Sequence, residues 1–77
     1  MKNIAIEVER LHKRIGKNVK KLREGKKLTQ LDLALAIGQK STTIISQAEL
    51  GTNKHFNIEQ LYKISKVLGC DITDFFN

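Results

Sequence analysis

Thr42, Thr43, Ser46 and Gln47 fall three and four residues apart, a spacing that gathers them on one face of a helix. Hydroxyls and a carboxamide both donate and accept. Such side chains suit the edges of nucleic-acid bases: Gln pairs bidentately with adenine N6 and N7, and a Thr methyl meets the thymine methyl. Nearby, residues 10–27 hold nine Lys and Arg against one acid, whereas residues 29–77 sum to a net charge of −1. Arg10, Arg14, Lys17 and Lys21 follow at intervals of four, three and four, a basic stripe suited to phosphates. Lys20, Lys26 and Lys27 lie nearer the next helix start and are the better phosphate candidates; Lys40, Asn53 and Lys54 flank the polar face.

Other chemistries find little support. His12 and His55 have no Cys or acid at metal-ligand spacing, and one cysteine, Cys70, makes neither a zinc site nor an internal disulfide, so no metal or cofactor is expected. There is no phosphate-cradling glycine loop, H-E-x-x-H, nucleophile elbow or clustered carboxylate pair, so no enzyme is expected. Fourteen Lys and Arg against eight Asp and Glu give a formal charge of +6 on 77 residues, which points to a phosphate polymer or another anionic partner. No run of about 18 apolar residues exists to cross a membrane. Glu7 and Glu9 interrupt the place where a signal peptide needs an apolar run, so a cytoplasmic location is expected.

The elements that must position these residues read as helices. Val8, Leu11, Ile15, Val19 and Leu22 recur at three and four and predict an amphipathic first helix ending at Gly25. Residues 1–12 extend it, and residues 13–77 form the body of the domain. Thr29 with Asp32 makes a capping pair for a second helix over about 30–37, which Gly38 closes. Ser41 is the expected N-cap of a third helix over 41–50. Asn57 with Gln60 opens a fourth, with the stripe Ile58, Leu61, Ile64, Ser65 and Leu68, and Asp71 with Asp74 frames a fifth, short turn that drops Ile72, Phe75 and Phe76 onto the core. The prediction is an all-α orthogonal bundle of five helices. Its second and third helices are joined by a short turn over 38–41, and such a pair can lay its second helix in a major groove.

The runs LTQLDLALAIG (28–38) and TIISQAELG (43–51) resemble the helix-turn-helix domain of the phage repressor and Cro type, often called Xre-like. Thr29, Gln30, Leu33, Ala34, Gly38, Ser41, Ile45, Ser46, Glu49 and Gly51 carry the likeness, which extends back through VKKLRE (19–24) and forward through residues 57–76. The stretch from Gly38 to Glu49 is one residue longer than the common pattern, and the segment TNKHF (52–56) lacks the usual proline. The resemblance implies a lambda-repressor-like fold and a DNA-binding transcriptional regulator, a repressor or autoregulator, acting as a homodimer. It implies that Thr42, Thr43, Ser46 and Gln47 contact bases and that Gln30, beside Lys20, Lys27, Lys40, Asn53 and Lys54, contacts the backbone. It also implies that Arg23 and Glu49 pair as a structural tie. Tyr62, Phe75 and Phe76 are the candidate dimer seam. The competing reading is a protein-interaction module of the same fold, antitoxin-like, that binds a regulatory partner and no specific DNA.

Overall fold

Asn3 starts the first helix, its Oδ1 accepting from the backbone N–H of Ala5 at 3.0 Å and of Ile6 at 3.4 Å. The computed structural model of the chain describes residues 3–51 and 54–77. Helix α1 (Ile4–Gly25) is 22 residues long, about 33 Å at 1.5 Å per residue, in a molecule of 42 × 23 × 20 Å. Residues 4–12 continue the helix without a break. Only its C-terminal part is packed: Ile15 and Val19 are buried and Leu22 is half-buried, whereas Val8 and Leu11 are exposed because no other element reaches that end. For these two positions the expectation of a buried stripe is corrected.

Helix α2 (Gln30–Ala36) begins at Thr29, whose Oγ1 accepts from Asp32 N at 3.0 Å while Asp32 Oδ2 accepts from Thr29 N at 2.9 Å. Helix α3 (Thr43–Leu50) starts one residue later than a cap at Ser41 requires. Thr42, not Ser41, is its N-cap, and the Thr42 side chain makes no capping bond; Ser41 Oγ accepts from Thr43 N at 3.5 Å and donates to Thr43 Oγ1 at 3.2 Å. The connection between α2 and α3, residues 37–42, is therefore longer than the expected turn over 38–41. Helix α4 (Ile58–Leu68) begins at the reciprocal Asn57–Gln60 pair, with bonds of 2.9 and 2.7 Å. Its stripe buries Leu61, Ile64, Ser65 and Leu68, but Ile58 in the first turn faces solvent. The predicted fifth helix is a single 3₁₀ turn, Ile72–Phe76, opened by Asp71 and Asp74. The described chain is thus all-helical, with four α-helices and a 3₁₀ turn.

The core gathers Ile15 and Val19 from α1, Leu33 and Ala34 from α2, Ile45 and Ala48 from α3, Leu61, Ile64 and Leu68 from α4, and Phe75 from the final turn. Two glycines permit the tightest crossing. A Cβ at Gly16 would collide with the carbonyl oxygen of Ala48 and lie 2.7 Å from that of Glu49. Gly51, at φ +70°, ends α3 so close to α1 that a Cβ would stand 2.8 Å from Lys13 Cα. The C-terminal end of α3 therefore rests directly on the α1 backbone. Asn18 Nδ2, two residues beyond Gly16 on α1, holds the final turn, donating to the carbonyls of Phe75 at 2.9 Å and Asn77 at 2.7 Å.

Candidate nucleic-acid interface

Arg23 and Glu49 are both buried and joined by two parallel bonds: Nε to Oε2 at 2.7 Å and Nη2 to Oε1 at 3.0 Å. This fork-to-fork arrangement is the strong form of an Arg–carboxylate pair. Arg23 Nη1 donates to the Leu28 carbonyl at 2.7 Å, and Gln30 Nε2 donates to Glu49 Oε1 at 3.1 Å. One network thus ties α1, the loop after it, the start of α2 and the end of α3. Hydrogen bonding to Glu49 outweighs burial and raises the Arg23 pKa further, so the guanidinium stays charged. No buried side-chain polar atom among the described residues lacks a partner.

With its C-terminal end fixed, α3 turns Thr43 outward, while Thr42, Ser46 and Gln47 are partly exposed. Ser46 Oγ donates back to the Thr43 carbonyl at 3.2 Å, and among the described residues no intramolecular hydrogen bond occupies the Gln47 amide. The face is uncharged and holds both donors and acceptors. Leu50, at its end, is 67% exposed.

Beside that face runs a cleft of about 310 Å³, lined by Lys13, Lys17 and Lys20 of α1, Gln30 of α2 and Ser46, Glu49 and Leu50 of α3. Gln30 therefore serves two surfaces, its amide nitrogen inside the ion-pair network and its backbone at the start of α2. Lys17 and Lys20 also border a second basic groove, of about 590 Å³, with Arg14 and Lys21. Lys27, Lys40 and Lys54 are exposed, Lys27 in the left-handed region at φ +59°. Asn53 lies outside the described residues. His12 and His55, far apart in sequence, stack with ring centroids 3.6 Å apart and planes 8° from parallel, and so pin the segment before α4 against α1. Stacked rings do not aim two nitrogens at one ion, and no cluster of three or more His, Cys, Asp and Glu occurs among the described residues.

The proposed seam divides. Phe75 has no exposed surface and packs in the core, which removes it as a contact between copies. Tyr62 is exposed, with the Lys66 ammonium 5.0 Å from its ring centroid, and Phe76 is 36% exposed.

Reasoning from sequence missed three features of this surface: Lys13 in the cleft, Gly16 under α3 and the His12–His55 stack. Gly16 carried a readable signal, because a glycine inside an otherwise strong helical pattern usually marks a close approach. The other two depend on how distant segments meet. In comparison with known proteins, the family model described as Helix-turn-helix matches residues 19–75, which span α2, α3 and the network that binds them. No curated protein matches the sequence. No helix among the described residues is long and apolar enough to cross a membrane.

Proposed function

We propose, for a chain that belongs to the Xre-like helix-turn-helix family, that it is a DNA-binding transcriptional regulator that reads a specific duplex sequence as a homodimer. The observation that carries this reading is the uncharged polar face of α3 beside a cleft lined by Lys13, Lys17 and Lys20. Thr42, Thr43, Ser46 and Gln47 supply donors and acceptors for base edges in the major groove. Lys20, Lys27, Lys40 and Lys54, with the backbone at Gln30, supply phosphate contacts that set orientation and most non-specific affinity. The Arg23–Glu49–Gln30 network keeps α3 in one pose, so base contacts form without ordering the helix on binding. Regulation follows from occupancy, as a repressor or autoregulator in the cytoplasm, and no catalytic step belongs to the reading. One reader of this size covers little DNA, and two copies on half-sites about one helical turn apart supply the missing affinity.

The test is selection of bound duplexes from a random library of roughly 30 base pairs, near physiological salt, followed by sequencing. Enrichment of an inverted repeat with half-site centres about 10 base pairs apart supports a dimeric reader. Salt-sensitive retention without enrichment would refute sequence specificity. No retention would favour the protein-interaction reading.

A further inference from the structure

We propose that the N-terminal half of α1 is the surface through which two copies of this chain associate, packing antiparallel along Val8 and Leu11 with Ile4 at the rim. The inference rests on the homodimer proposed above and names the contact. Ile4 is 71% exposed, Val8 44% and Leu11 36%, on a stretch of α1 where every described residue up to Leu11 is exposed. With Ile15 they follow at four, three and four, the spacing of a two-helix coiled-coil seam, in line with the stripe that enters the core. A helical segment this short, with no tertiary contact on its apolar side, is marginal in water by itself. A second helix laid along the row would cover it.

Charge identifies the occupant as a second copy. In the same heptad frame Glu7 and Arg14 lie seven residues apart along one edge of the seam. When Val8 of one copy faces Leu11 of the other in an antiparallel pair, Glu7 of each copy comes opposite Arg14 of the second copy. Two-fold symmetry makes that contact twice. Neither residue has an ion-pair partner among the described residues, whereas Glu9 on the opposite side is already bridged to Lys13 at 3.3 Å. A parallel pair would set Glu7 beside His12, whose ring is already stacked on His55. The surface thus carries an apolar row and both charges in the order its own inverted copy requires.

Sedimentation equilibrium of the full chain and its variants tests this. The wild type is expected to be dimeric, Val8→Asp to raise the dimer Kd at least about tenfold, and Glu7→Arg and Arg14→Glu each to weaken association. The double variant Glu7→Arg/Arg14→Glu should restore it, because the salt bridge is re-formed with its polarity reversed. Phe76→Asp should leave the dimer intact. These α1 side chains are exposed, so circular dichroism melting should show the core unchanged. A dimer indifferent to Val8→Asp, or charge reversals that the double variant does not rescue, would overturn the surface. A monomeric wild type that still enriches an operator would overturn it while leaving the DNA-binding reading in place. A dimer broken by Val8→Asp with no operator enriched would do the reverse.

Discussion

Glu49→Ala is the substitution that most directly probes how α3 is held. The Glu49 side chain is 2% exposed and that of Arg23 8%. Truncation deletes the acceptor of three bonds, those from Arg23 Nε at 2.7 Å, Arg23 Nη2 at 3.0 Å and Gln30 Nε2 at 3.1 Å. Arg23 keeps only Nη1 to the Leu28 carbonyl and remains a buried charge. Breaking a buried pair from one side costs about 3–5 kcal/mol. At about 0.05–0.15 kcal/mol per residue, a domain of 77 residues holds roughly 4–12 kcal/mol in all, so a large share is lost. With about 4–8 °C per kcal/mol for domains of this size, the melting temperature should fall by at least about 12 °C. The assay is thermal and urea denaturation followed by circular dichroism. Two controls bracket it. Lys63→Ala breaks the exposed 3.1 Å pair with Glu59 and should cost no more than about 1 kcal/mol. Arg23→Met combined with Glu49→Leu removes both charges and should regain most of the loss. A fall of less than about 4 °C for Glu49→Ala, equivalent to about 1 kcal/mol, would mean that water replaces the carboxylate, and the network would not be what fixes α3.

Gly16→Ala should destabilise by about 1–3 kcal/mol, because its Cβ meets backbone carbonyls of α3 that cannot swing aside, whereas Gly25→Ala, with nothing near it, should be neutral or slightly stabilising; equal effects in urea melts would refute the close crossing. Lys27→Gly relieves a left-handed backbone and should add about 0.5–1 kcal/mol while weakening binding to every duplex alike. Gln47→Ala should instead cost about 1–3 kcal/mol on the preferred site and leave random DNA nearly unaffected; identical losses for the two variants on both DNAs, in binding titrations, would refute the division between phosphate and base contacts. Burial first, and the facing His55 second, hold the His12 pKa below its ordinary value, so the fold favours the neutral ring and the unfolded chain takes up the proton first. That contribution is complete above about pH 6.5 and is lost as pH falls through the folded pKa below it, and His12→Phe should flatten this part of a stability–pH curve. Asp32 and Asp71, held low by capping bonds, act in a separate, more acidic window.

The sequence alone determined the helix starts at Thr29, Asn57 and Asp71, because each depends on a side chain and a backbone N–H only three residues apart. It also determined the all-helical class, the excess of positive charge on α1, and the resemblance carried by residues 28–51. Ser41 shows the limit of such local signals: the residue type suits a cap, but the chain turns into α3 one residue later, where Thr42 is already helical in its backbone. Periodicity states which side chains share a face, not whether another segment arrives to cover it. Val8, Leu11 and Ile58 sit on apolar stripes that no other segment of the same chain covers, while Phe75 and Phe76 are neighbours with opposite fates. The tertiary structure decided these, and it also turned the Gln30 amide toward Glu49, set Lys13 beside the α3 face and stacked His12 on His55. Capping is a local exchange of hydrogen bonds that the chain can make wherever it lies. Burial and the Arg23–Glu49 and Asn18–Phe75 contacts join residues 26 and 57 positions apart, and their energy exists only after the helices have packed.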